Sequence, residues 1–282
     1  MKPGALVLAA SFAFLLPAQF QDAPFPAHKI AGNLYYVGSE KLASFLVATP
    51  EGHILINSSF EETVPLIRRS IEALGFRFAD VRILLNSHAH ADHAAGNALV
   101  KELTGARLFV MQGDEAVTAA GVKAAPDHPY RWPPCKVDRV LRDGDQVRLG
   151  KATLTARRTP GHTKGCTTFV APVAEGGKTL TAVIVGSPNV NPGYILVDNR
   201  EYPEIARDYE LGFEVLRSLR CDLFLGAHGA FYGLEPKYRK LSSSGGANPF
   251  LDSTGYVAYV ADREAAFRAE LKLQRENARQ NK

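Results

Sequence analysis

Five of the eight histidines in this 282-residue chain fall in three short segments, and any fold the chain adopts must account for that concentration. The first segment is His88-Ala89-His90-Ala91-Asp92-His93, the second Pro160-Gly161-His162-Thr163, the third Gly226-Ala227-His228-Gly229. Imidazole is a good ligand for a borderline-soft cation such as Zn²⁺, and catalytic zinc sites use three protein ligands while leaving a position for water. Two such sites need about six ligands, and five histidines plus Asp92 supply them. His88 and His90, two apart in an extended loop, project to the same side; Asp92 and His93, being adjacent, can turn toward a second metal. A surface cluster of polar loop residues is the bland alternative. It leaves unexplained why each remote histidine follows a strand-like run and is flanked by glycine.

The segments between these loops read as strands and helices in alternation. Leu34 to Val37, Ser44 to Ala48 and His53 to Ile56 are short β-branched or alternating runs, with Pro50-Glu51-Gly52 as a turn, and predict a β-meander. Glu61 to Leu74 carries Val64, Ile67, Ile71 and Leu74 at helical spacing and stops at Gly75. Val81 to Leu85 is an apolar run that leads straight into the first histidine segment. A helix from about Asn97 to Leu103, a strand at Leu108 to Met111 and a short helix near Asp114 to Ala120 follow. After the proline-rich stretch 126–134, strands return at Gln146 to Leu149, Ala152 to Arg157, Thr167 to Ala171 and Leu180 to Val185. Tyr202 to Leu219 predicts a long helix, Leu223 to Leu225 a short strand, and the stretch from about Asp262 a C-terminal helix. Strands then helices, twice over, with a histidine loop after a strand in each half, predict two packed sheets with helices outside, in one domain.

Composition agrees with a folded domain: 46% of residues are hydrophobic and 22% charged. The net charge of +4, from 33 basic and 29 acidic residues, is spread along the chain, with no basic stripe interleaved with aromatics, so nucleic acid is not an expected partner. Residues 1–23 differ from the rest. Lys2 is the only charge before Asp22, Ala5 to Leu16 is apolar, and Pro17-Ala18 ends the run, the layout of a secretory signal peptide cleaved near Ala18. The run is too short to cross about 30 Å of hydrocarbon as an anchor. The expected product is residues 24–282 as a single exported domain in the periplasm, a monomer with no membrane association after signal removal. Cys135, Cys166 and Cys221 are far apart and form no CxxC pair, and an odd count leaves one thiol unpaired within a monomer. His28, His53 and His128 stand alone and read as structural or exposed. Tyr130 to Pro134 reads as loop packing.

The full ligand pattern resembles the metallo-β-lactamase superfamily over nearly all of the chain after the signal. The resemblance implies an α+β fold, an αββα sandwich of two mixed β-sheets with helices on the outer faces. It implies two Zn²⁺ per chain, the first held by His88, His90 and His162 and the second by Asp92, His93 and His228. In this superfamily thioesterases and lactonases carry an aspartate bridging both metals, in a Gly-Asp pair after a strand; here the strand ends Val185-Gly186-Ser187. Serine there, together with histidine in the second metal set, resembles subclass B3. So do the strings Ser44-Phe45-Leu46-Val47, Ile54-Leu55-Ile56-Asn57-Ser58, the run from Gly161 to Thr168, and Asn191-Pro192-Gly193-Tyr194.

What the resemblance implies about activity is hydrolysis of the β-lactam amide of penicillins, cephalosporins and carbapenems by a metal-bound hydroxide, conferring antibiotic resistance. Asp92 has a catalytic role there, orienting or shuttling a proton, while Ser187 and Asn189 hydrogen-bond the substrate carboxylate and Asn191 and Tyr194 border the same loop. A lactonase or thioester hydrolase of the same superfamily is the alternative, and a non-enzymatic metal-binding protein a third reading. One departure stands out. Members of the subclass commonly close a C-terminal disulfide; Cys221 matches its first half, but Tyr256 stands at the partner position, so no bridge is expected. Cys166 packs behind the site in the resembling family, and both it and Cys135 read as buried thiols.

Overall fold

The computed structural model describes residues 22–122, 132–243 and 247–280. The bulk of the expected signal peptide, His128, and Tyr130 and Arg131 lie outside them. The first sheet opens as an antiparallel meander of β1 (His28–Ala31), β2 (Leu34–Tyr36), β3 (Phe45–Thr49) and β4 (Gly52–Ile56). It continues in parallel through β5 (Val81–Leu85), β6 (Arg107–Met111) and β7 (Arg139–Leu141), in spatial order β1 to β7. Parallel neighbours need crossovers. They are α1 (Val64–Ala73), the one-turn α2 (Ala91–Ala94) with α3 (Asn97–Thr104), and α4 (Glu115–Ala120).

The second sheet contains β8 (Gln146–Leu149), β9 (Ala152–Arg158), β10 (Thr167–Glu175), β11 (Lys178–Val185) and β12 (Leu223–Gly226), in order β12-β11-β10-β9-β8. Its pairs are antiparallel except β11 with β12, which are joined through α5 (Ile205–Ser218). The chain ends in α6 (Gly229–Tyr232), α7 (Leu234–Ser243) and α8 (Ser253–Gln280).

The period of two along the central strands sorts their side chains into two cores. Ile54, Ile56, Ile83, Leu85, Phe109 and Met111 enter the cluster between the sheets, with Leu154, Phe169, Val183 and Phe224 of the second sheet. Their alternates Leu55, Leu84, Leu108 and Val110 join Val64, Ile67 and Ile71 of α1 on the outer face. A strand buried on both sides must be apolar, which is why Ile83 to Leu85 is an unbroken apolar run, while Arg82 near the start of the strand is exposed. The observed fold is the expected two-sheet α+β sandwich.

Element bounds differ from the sequence reading in instructive places. The C-terminal helix begins at Ser253, nine residues before the expected start. Tyr256, Val260, Phe267 and Leu271 make one buried stripe, and the Asp252 carboxylate caps the first turn by accepting the Gly255 N–H at 2.8 Å. Strand β10 runs through Pro172 to Glu175. Beyond Val170 it pairs only with β11, so the missing N–H of proline falls on an unpaired edge. The helix expected from Tyr202 starts at Ile205, because Asn199 Oδ1 accepts the N–H groups of Glu201 and Tyr202 and holds them in a turn. Helix α7, with Pro236 in its first turn, was not foreseen.

Candidate metal centre

All three histidine segments leave the C-terminal ends of strands: β5 delivers His88, β9 delivers His162 and β12 delivers His228. The first segment rests on a buried polar bed. Asn57, in the left-handed region at φ 65, accepts the Ser87 N–H at 2.8 Å through Oδ1. Asn86 and Ser58 both donate to the His93 carbonyl, and Asn97 links the two side chains. Satisfied networks of this kind fix a loop because any shift strands a buried donor. The second segment turns at Gly161, φ 121. The third is pinned by the 41–43 loop: Leu42 bridges His228, and the Gly229 N–H donates to the Lys41 carbonyl at 2.9 Å.

The six expected ligands converge as two neighbouring sets. Ring nitrogens of His88, His90 and His162 lie within 4.8 Å of one another. In the second set, His93 Nε2 is 3.1 Å from Asp92 Oδ2 and 3.1 Å from His228 Nε2, and His228 Nε2 is 3.5 Å from Asp92 Oδ2. Tetrahedral zinc with bonds of about 2.0–2.1 Å needs ligand atoms roughly 3.4 Å apart, so the second set already has the edges of a coordination face. His88 also lies within 4.8 Å of Asp92 and His93, which makes the two sets adjacent.

The electrostatics suit a cation. Burial first, then the neighbouring imidazoles, drives the His162 pKa down to about 3 and that of His228 to about 4, and depresses His88 in the same way. These rings are therefore neutral lone-pair donors at neutral pH. Burial would raise the Asp92 carboxyl, but His93, His228 and His90 outweigh it and hold it well below the usual range. The His162 tautomer is set by its partner. Its Nδ1 lies 2.8 Å from the Asn189 carbonyl, which can only accept, so Nδ1 carries the proton and Nε2 the lone pair.

The four residues expected to meet substrate are placed unequally. Ser187, 3% exposed at the end of β11, accepts the Asn189 N–H through Oγ at 3.4 Å. Asn189 Oδ1 is buried without a hydrogen-bond partner. Tyr194 stacks on His162 at 5.7 Å and donates its hydroxyl to the His162 carbonyl at 3.0 Å. Asn191 is exposed; its carbonyl closes a turn with the Tyr194 N–H at 3.1 Å. Residues Asn189 to Gly193 line a groove of about 420 Å³ with Arg263, Ala266 and Glu270 of α8.

Cys166 faces the backbone of Ser187, not the ligands, and burial pushes its thiol up to about 12. Cys135, Cys166 and Cys221 are all buried free thiols, and Tyr256 donates its hydroxyl to the Leu216 carbonyl at 2.6 Å. Trp132 packs on Ala91 and Ala95 beneath the first histidine segment. Sequence reading missed Tyr209 of α5. Its hydroxyl donates to the same Asn189 carbonyl at 2.6 Å, yet nothing local to its sequence marks it.

A family model of the metallo-beta-lactamase superfamily matches residues 42–175. The chain is 50% identical to the FEZ-1 metallo-beta-lactamase from Legionella gormanii, covering 90% of this chain and 98% of that one, with a TM-score of 0.88. This chain belongs to the metallo-beta-lactamase superfamily. Within the superfamily its place is with subclass B3. BJP-1, a subclass B3 metallo-beta-lactamase of Bradyrhizobium japonicum, is 32% identical over 91% of this chain and 97% of that one, at TM-score 0.86. Curated relatives match over shorter stretches. The mitochondrial persulfide dioxygenase of Homo sapiens is 33% identical over 109 residues, 39% of this chain and 35% of that protein. A hydroxyacylglutathione hydrolase of Hyphomonas neptunium is 38% identical over 98 residues, 35% and 32%. The chain thus spans about a third of the length of these curated relatives. As a hydrolase of this superfamily it presents His88, His90, His162, Asp92 and His93 as a candidate metal site, with His228 at coordination distance from the last two.

Proposed function

We propose that this protein is a di-zinc β-lactamase that opens the β-lactam amide of penicillins, cephalosporins and carbapenems, acting as an exported monomer in the periplasm and conferring resistance. The observation that carries the reading is Ser187. It stands at the end of β11, where thioesterases and lactonases of the superfamily place a bridging aspartate, while the likeness to FEZ-1 extends over 98% of that enzyme. Bound zinc supplies a Lewis acid for the lactam carbonyl and a water of lowered pKa. His88, His90 and His162 would hold one ion, and Asp92, His93 and His228 the other.

The chain's own groups then divide the remaining work. Asp92, held ionised by its imidazole neighbours, takes a proton from the attacking water as its oxygen adds to the carbonyl carbon. When the C–N bond breaks, that proton passes to the amide nitrogen. Ser187 Oγ accepts from the Asn189 N–H, which leaves its own O–H to donate to the substrate carboxylate. Asn189 offers its side-chain amide to the same group, and Tyr194 holds His162 in place. A second reading, thioester hydrolysis, has the match to hydroxyacylglutathione hydrolases in its favour.

Turnover of one penicillin, one cephalosporin and one carbapenem by zinc-loaded protein, with and without a chelator, tests the proposal against a glutathione thioester and a lactone. β-Lactam hydrolysis abolished by metal removal is the expected outcome. Activity that persists without metal, or that is confined to the thioester or lactone, would sink it.

A further inference from the structure

We propose that Asp114 is the positioning residue of the three-histidine zinc site, a buried carboxylate that ties the His88–His90 loop to the His162 loop. The inference deepens the zinc reading above and rests on it. Asp114 precedes α4, belongs to neither ligand loop, and is 3% exposed. Both of its oxygens are engaged. Oδ1 accepts the Gly165 N–H at 2.8 Å; Oδ2 accepts the Ala89 N–H at 2.9 Å and the Thr163 hydroxyl at 2.7 Å. Ala89 lies between His88 and His90, and Thr163 follows His162. One side chain therefore holds the immediate neighbours of all three ligands.

The two loops come from different sheets, β5 of the first and β9 of the second, so nothing in local secondary structure sets their separation. Metal ligation demands that separation to within about 0.5 Å. Asp114 sets it from the side, against a glycine wall. A Cβ on Gly165 would lie 2.8 Å from Asp114 Cβ, and one on Gly113 would lie 2.7 Å from the Lys164 carbonyl carbon. The 113–114 turn thus presses directly on the His162 loop. A backbone bond from the Thr167 N–H to the Ser87 carbonyl, 2.7 Å, joins the same two loops, but the ligand-bearing tips are held by Asp114. The choice of carboxylate follows from the donors. Three donors converge on two oxygens, and an amide of the same shape would turn an NH₂ toward at least one of them.

The test is zinc affinity, read by stepwise competition with a chromophoric chelator, for wild type, Asp114→Asn and the milder Thr163→Val. Each is also made in a His228→Ala background, which leaves the three-histidine set whole. Asp114→Asn should lower zinc affinity at the three-histidine site by about 10- to 100-fold, the range for groups that orient ligands, and leave the other step within a few-fold of wild type. Thr163→Val, which removes one of the three bonds, should produce a smaller loss at the same step. Unchanged affinity in both variants would overturn the inference. So would equal loss at both steps accompanied by a lower Tm of the zinc-free protein, because that is general loosening and not positioning. Wild-type protein that binds no zinc would instead refute the proposed function.

Discussion

His28 lies 8% exposed among aromatic rings, stacked on Tyr36 at 5.4 Å and on Phe250 at 5.7 Å, with Nδ1 2.8 Å from the Pro26 carbonyl. Burial lowers its pKa below 6.5, more than the Pro26 carbonyl raises it. The unfolded chain therefore binds this proton first as pH falls, and its contribution is fully present above about pH 6.5 and declines below it. The Tm difference between wild type and His28→Leu, measured across about pH 5 to 7.5, should change with pH below about 6.5; a constant difference would show that His28 does not titrate on unfolding. At this scale the sequence was most legible for the candidate ligands, whose side chains the fold brings together. His88, His90, Asp92, His93, His162 and His228 could be named because residue type and spacing carry metal chemistry. Asp114 and Tyr209 could not, because an aspartate before a helix and a tyrosine within one are ordinary until their partners are known.

Helix α5 acts on the site through one glycine and one hydroxyl. A Cβ on Gly161 would fall 2.5 Å from the Tyr209 ring, and φ 121 is already unfavourable for any other residue. Gly161→Ala should cost on the order of 3 kcal/mol of stability by denaturant unfolding and displace His162. Tyr209→Phe should cost about 1 kcal/mol and impair turnover less than Gly161→Ala, since it removes one of the two donors on the Asn189 carbonyl and leaves the fold intact. Equal effects on turnover would contradict this order. Element existence was legible wherever a periodic run was long, as in α1 and α5. Boundaries failed where side chains decided them: Asn199 delays α5, Asp252 starts α8 early, and β10 tolerates Pro172 because its neighbour has ended.

Across the whole molecule, two sheets share one core, and α8 closes it. Phe267 of α8 stacks on Tyr209 at 5.0 Å and lies 5.7 Å from Phe213 of α5, and Tyr256 meets the Phe224 ring edge-on at 5.5 Å while bonding the Leu216 carbonyl, so the C-terminal helix is held by aromatic packing and a hydroxyl bond. Cys221 is 6% exposed and its thiol is pushed up to about 12 by burial and then by Asp222, which makes it unreactive. A thiol reagent should label Cys135, Cys166 and Cys221 only after denaturation, and a reductant should leave Tm unchanged; prompt labelling, or a Tm that falls on reduction, would contradict the packing. The sequence by itself determined the candidate ligand inventory and the strands that carry it, because residue type and the periods of 2 and 3.6 are local properties. Only the tertiary structure decided the rest. His93 meets His228 across 135 positions, the Asn189 carbonyl selects the tautomer of His162, and Asp114 spans two sheets; each depends on how the sheets pack, which no local pattern encodes.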